Sequence, residues 1–100
     1  MLTRQPIKSQ SNFSVELMFF SCHCITLKGI IADTSEAETN LRKLVLAQSE
    51  KTIFLCDGSK LGLNAPYNLC KADSVSNIIT DTGEISKYVK ENEDCKIIAV

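Results

Sequence analysis

The sequence predicts an α/β domain built on a parallel sheet, and three observations carry that expectation. Short apolar runs alternate with helical stretches in the order β, α, β, loop, β, α, β, a pattern that points to crossover connections between parallel strands. Thr52-Ile53-Phe54-Leu55-Cys56 is a continuous, partly β-branched apolar run, as expected of a strand covered on both faces. A capping box, Ser35 with Glu38, opens the strongest helical segment, each side chain satisfying an otherwise free backbone N–H.

The elements follow in order. The first twelve residues carry Arg4 and Lys8 and no acid; they read as a flexible lead-in or a cut edge, ahead of a domain spanning 13–100. Phe13 to Phe20 begins with alternation and ends fully apolar, a strand half exposed at its start and buried at its end. In the helix, Ala37, Leu41, Leu44, Val45 and Gln48 share one face, which is expected to turn inward. The helix should stop between Gln48 and Lys51. Thr52 to Cys56 is the next strand, broken by Asp57-Gly58-Ser59. Lys60 to Leu69 reads as loop with room for a short edge strand, since Pro66 argues against a central one. Asn77 to Thr80 is a third core strand. Asp81 is placed to cap a short helix with Ile85, Tyr88 and Val89 inward. Lys96 to Val100 is the last strand.

Composition narrows the function classes. At 100 residues, 44% hydrophobic and 23% charged, the chain is one domain or part of one, and too apolar to be disordered. No apolar run approaches the ~18 residues of a membrane helix. A net charge of −1 makes a poor phosphate-backbone binder. The five cysteines, Cys22, Cys24, Cys56, Cys70 and Cys95, are odd in number and irregularly spaced, with no apolar signal-peptide core ahead of them. They read as reduced thiols of a cytoplasmic protein.

In an open parallel sheet, ligands gather beyond the carboxyl ends of the strands. Three segments are expected there: Ser21 to Thr26, Asp57 to Gly62 and Thr80 to Gly83. The middle one places a carboxylate, a turn glycine, a hydroxyl and a lysine within four positions. Lys60 suits an anion such as a phosphate, and Asp57 suits sugar hydroxyls or the orientation of that lysine. The competing reading is a solvated turn in which Asp57 caps backbone N–H groups. Cys22-His23-Cys24 lacks the further ligands of a closed zinc site. On an extended chain the two thiols face one way and His23 the other, so a metal site and a reactive thiol both rank below two small residues lining a strand end. No G-x-G or P-loop pattern can be formed from the four glycines. No cofactor and no catalytic residue is expected.

Residues Val15 to Asp81 resemble the C-terminal effector-sensing domain of DeoR-family bacterial transcriptional regulators. The carrying motifs are FFSCHCIT at 19–26, EAETNLRK at 36–43, IFLCDGSKLG at 53–62 and NIITD at 77–81, in one collinear run. The resemblance implies a Rossmann-like parallel-sheet layer of the kind shared with ribose-phosphate isomerase and glucosamine-phosphate deaminase, of which this chain would be an incomplete half. It implies a sensor of phosphorylated sugars or related metabolites. Carried over by position, Asp57, Ser59 and Lys60 match the sensor-site turn, and Cys22 and Cys24 the strand end beside the pocket. Glu38 and Arg42 match a helix acid and base, structural partners one turn apart. Cys24 stands where the family usually has glycine. The family's N-terminal winged helix-turn-helix has no counterpart here, so DNA would be reached only through a domain outside this stretch.

The resulting expectation is the effector-binding part of a homo-oligomeric repressor of carbohydrate metabolism. The alternatives are a sugar-phosphate isomerase-like enzyme of the same fold, which would need a glycine-rich phosphate loop, and an oligomerisation module that binds no ligand.

Overall fold

A computed structural model describes residues 14–100; the expected lead-in lies outside the described residues. The elements are β1 (Val15–Phe20), β2 (Cys24–Ile25), β3 (Ile30–Asp33), α1 (Glu36–Ala47), β4 (Ser49–Cys56), β5 (Tyr67–Lys71), β6 (Asn77–Thr80) and β7 (Lys96–Ala99). Four of them form the expected sheet, in the order β1-β4-β6-β7, and every neighbouring pair is parallel. A second sheet, β2-β3-β5, is antiparallel.

The second sheet is a departure from the expected order. Its strands are two, four and five residues long, too short to show a periodicity. Gly29 makes the β2–β3 turn at a φ of +77°, a conformation that costs glycine little. The site left for a short edge strand near Pro66 is filled by β5, which starts immediately after that proline.

α1 starts with one half of the expected capping box: Ser35 Oγ accepts from the Glu38 backbone N–H at 3.2 Å, while the Glu38 carboxylate turns to Arg42 at 3.6 Å. Its inward face differs from the expected one. Leu41 and Leu44 are each 45% exposed, whereas Thr39 is 3% exposed, and Leu46 packs on the core. Thr39, Arg42 and Leu46 therefore form the buried stripe. Polar residues can occupy it because their groups are satisfied inside: Thr39 Oγ1 donates to the Ser35 carbonyl at 2.8 Å, and Arg42 meets Asp33. α1 runs almost directly into β4, which begins at Ser49 rather than Thr52.

Phe20, Phe54 and Ile78 sit on one face of the parallel sheet, with Phe20 and Phe54 rings 5.1 Å apart. They join one core with Ile25 and Ile31 of the second sheet, Leu69 of β5, and Ile85 and Val89 from the segment before β7. Among the described residues the cover lies on this face, so these residues cover β4 on one face and not on both. Its alternate positions, Ile53 and Leu55, are half-buried and exposed respectively. The segment after β6 also differs from expectation: Thr82, not Asp81, caps the 3₁₀ turn Gly83–Lys87, accepting from the Glu84 N–H at 3.1 Å. Asp81 is used elsewhere.

Tyr88 is gripped by two glycines. A Cβ on Gly29 would lie 2.7 Å from the Tyr88 carbonyl oxygen, and one on Gly62 would lie 3.0 Å from its hydroxyl. Both glycines have positive φ. The close approach ties the β2–β3 turn and the turn after β4 to the segment before β7.

Candidate effector site at the carboxyl edge of the sheet

Parallel strands end together, so the residues that follow β1, β4 and β6 converge. A cavity of about 340 Å³ opens there, lined by Ser21, Asp57, Lys60, Thr80 and Asp81, with Leu55, Cys56, Ile79 and Val100 as its apolar wall. The volume is within the range of small-ligand pockets.

The turn after β4 is stapled in place. Asp57 Oδ1 accepts from the Ser59 backbone N–H at 3.0 Å and from the Ser59 hydroxyl, capping the 3₁₀ turn Gly58–Lys60. Asp81 Oδ1 accepts from the Gly58 N–H at 2.9 Å, which locks the turn to the end of β6. The same turn is anchored to β2, since the Gly62 N–H donates to the Ile25 carbonyl at 2.8 Å. The hydrogen bond from the Ser59 hydroxyl, helped by the Ser59 N–H and the Lys60 charge, holds the Asp57 carboxyl below its ordinary value. Asp57 is therefore ionised at neutral pH. The second oxygen of each carboxylate has no hydrogen-bond partner among the described residues. Two carboxylates and one lysine thus line the cavity, a set that can take hydroxyl donors and one anionic group.

Of the residues singled out from sequence, Asp57 and Lys60 line this cavity, and Ser59 acts on it through Asp57. The capping contacts of Asp57 use Oδ1 alone, so capping does not by itself exhaust the carboxylate. Cys22 and Cys24 are placed elsewhere. Cys22 is buried beside Arg42, its Sγ 3.9 Å from Nη1, and burial pushes its thiol up to about 12. Cys24 is fully buried in β2, its thiol also raised by burial. Cys56 does reach the cavity wall, with its thiol raised by burial to about 11. Thiols raised in this way are poor nucleophiles at neutral pH.

Arg42 and Glu38 are brought together, at 3.6 Å, but the closer partner of Arg42 is Asp33, at 2.5 Å. Asp33 ends β3 and also accepts from the Thr34 N–H at 2.7 Å. Asp33 and Ser21 are polar residues that sequence reasoning passed over individually, and Asp81 is one that it read as a helix cap. Asp33 and Asp81 share one signal, a lone carboxylate closing a short β-branched run.

An α/β layer with one α-helix among the described residues and a polar cavity at its carboxyl edge is the kind of framework in which open parallel sheets place small ligands. The comparison with known families gives the particular one. The sequence model of the DeoR C-terminal sensor domain matches residues 2–82, and the chain belongs to that family. Among its relatives are the HTH-type transcriptional regulator YulB of Bacillus subtilis, 30% identical over 90 residues, which cover 90% of this chain and 35% of that protein. The L-fucose operon activator of Escherichia coli is 22% identical over 80 residues, covering 80% of this chain and 33% of its own length. The HTH-type regulator GolR of Listeria innocua is 25% identical over 83 residues, covering 83% and 33%. The chain spans about a third of the length of these curated relatives.

Proposed function

We propose that this domain senses a phosphorylated sugar or a closely related metabolite, and that it does so for a cytoplasmic repressor of carbohydrate metabolism that contacts DNA through a helix-turn-helix domain. The observation that carries the reading is the convergence of Asp57, Asp81 and Lys60 on one cavity at the sheet's carboxyl edge. The carboxylates would accept hydroxyls of the sugar, and Lys60 would meet its phosphate. Membership of a sensor-domain family supports a binding role in place of a catalytic one, and the name of the L-fucose operon activator supports a carbohydrate link. No helix among the described residues is long and apolar enough to cross a membrane. Sensing requires only that the ligand bind two arrangements of the protein unequally, which shifts their populations and the affinity for DNA elsewhere.

The test is calorimetric titration of the chain with a panel of sugar phosphates and their unphosphorylated sugars. A phosphorylated ligand should bind, and Lys60→Ala should weaken it by ~1.5–3 kcal/mol, about ten- to a hundredfold. Asp57→Asn should weaken sugar recognition while sparing free phosphate. Affinities unchanged in both variants, or no phosphorylated sugar bound, would sink the reading.

A further inference from the structure

Three lysines far apart in the sequence are gathered around one glycine. Gly29 makes the β2–β3 turn, its N–H donating to the Thr26 carbonyl at 2.9 Å, and Lys28 stands beside it. The Ala72 N–H donates to the Gly29 carbonyl at 2.9 Å, which fixes the end of β5, at Lys71, against the same turn. The Tyr88 carbonyl oxygen approaches so closely that a Cβ on Gly29 would lie 2.7 Å from it, and Lys90 follows two positions on. Between these three segments lies a cavity of about 290 Å³, lined by all three lysines together with Asp73. It shares no lining residue with the cavity at the carboxyl edge of the sheet.

The charge around this cavity is unbalanced. Among the described residues, none of the three lysines forms an ion pair. Asp73 is the one carboxylate on the wall. Glu91, next to Lys90, is occupied elsewhere, accepting from the Ile97 N–H at 2.7 Å. Residues 1–13 hold Arg4 and Lys8 and no acid, so they bring no counter-charge. Like charges gathered by a fold repel one another, and here they are gathered in a chain whose net charge is −1. Such a placement breaks a local electrostatic rule, as functional sites do, and a bound anion relieves it.

We propose that this cavity binds the phosphoryl group of a small molecule, at a site separate from the candidate effector site. Three cations against one carboxylate leave an excess of two positive charges, which matches a phosphate dianion. Lysines are point charges on flexible stems and can close on a tetrahedral anion from several sides. The contacts of Gly29 hold the three backbones together, so binding requires only that the side chains turn. The volume lies at the lower end of ligand pockets, which suits a phosphate ester of few carbons. A duplex backbone calls instead for cations laid along one stripe or helix face, whereas these come from three segments around a hollow.

Titration of the 100-residue chain with inorganic phosphate, followed by nuclear magnetic resonance at constant ionic strength, reads the two sites separately. Phosphate should shift the amide signals of Gly29, Ala72 and Tyr88. Those shifts should survive Lys60→Ala, so this site and the effector reading stand or fall independently. Lys28→Gln with Lys90→Gln should weaken the binding by about tenfold, the scale of two exposed ion pairs. Asp73→Asn should strengthen it by about threefold. All four residues concerned, Lys71 included, are exposed, so the variants should keep the native far-UV circular dichroism. Methyl phosphate in a second arm separates an organic ester from the free ion as the source, and shifts of the same amides by either one support the site. No shift with either, or shifts untouched by the double lysine substitution, overturn the proposal. Equal shifts with chloride at matched ionic strength overturn it in favour of general screening. A short DNA duplex that shifts these amides where phosphate does not overturns the small-molecule assignment in favour of nucleic acid.

Discussion

Arg42 offers a perturbation whose size distinguishes two partners. From sequence its natural partner is Glu38, one turn away. In the fold it reaches Asp33 at 2.5 Å and Glu38 at 3.6 Å; the Asp33 side chain is 13% exposed and the Glu38 side chain 64%. Arg42→Ala removes the charge that pairs with a mostly buried carboxylate and leaves Asp33 only the Thr34 N–H. Breaking a fully buried pair costs ~3–5 kcal/mol. Arg42 is 28% exposed, so water reaches the gap, and the cost should fall to about 2–3 kcal/mol, near that of a hydrogen bond to a charged group. Glu38→Ala should cost about 0.5 kcal/mol or less, as for an exposed pair, since the cap uses the Glu38 backbone N–H, which alanine keeps.

Urea unfolding followed by circular dichroism at neutral pH measures both, together with Asp33→Asn and the Asp33→Asn/Arg42→Ala double variant. The double variant should be less destabilised than the sum of its singles by about 1–2 kcal/mol, the signature of residues in contact. If Glu38→Ala costs as much as Arg42→Ala, or the cycle shows no coupling, the pair with Asp33 does not hold α1 to β3 and the reasoning fails.

Two further outcomes are expected. Gly29→Ala should cost about 2 kcal/mol or more, from its left-handed φ and the 2.7 Å approach to the Tyr88 carbonyl, whereas Gly83→Ala, with nothing within 4 Å, should stay within ~0.5 kcal/mol; equal melting temperatures for the two would contradict the grip on Tyr88. Cys22 and Cys56 ionise near 9.0 when unfolded but only near about 12 and about 11 when folded, so the folded state holds protons that the unfolded state gives up. Their stabilisation is complete below pH 9 and is lost as pH rises toward 11 and 12; a melting temperature that falls no faster for the native chain than for Cys22→Ala/Cys56→Ala across that window would refute it.

What sequence made legible follows from what each element depends on. The strands of the parallel sheet were readable because Thr52 to Cys56 and Asn77 to Thr80 are short, β-branched runs bounded by turn residues. The start of α1 was readable because a cap is a local contact between Ser35 and a backbone three residues on. The buried face of α1 was not, because Thr39 and Arg42 are turned inward by partners that lie outside the helix's own pattern, above all Asp33. The second sheet was hidden for a related reason. Strands as short as Cys24–Ile25 are made by pairing across the chain, and Gly29 matters there through its contact with Tyr88, fifty-nine positions away in sequence. At the candidate site, Asp57 and Lys60 stood in one turn and could be seen together. Asp81 joins them only because β6 lies beside β4 in the sheet.

The sheet face that the described residues leave uncovered and the cavity are parts of one surface, since Leu55 and Ile79 belong to both. Whatever lies on that face therefore rests against the wall of the cavity. The turn that forms the cavity rim is held in part by the carboxylates themselves, through the bonds of Asp57 with Ser59 and of Asp81 with the Gly58 N–H. A ligand that competes for those carboxylates would loosen the turn, and one that bridges Lys60 to them would tighten it. Either change would reach Leu55 and Ile79, which precede the rim residues in their strands. A sensor needs a binding event that is felt beyond the binding site, and under the proposed function these shared side chains would carry it.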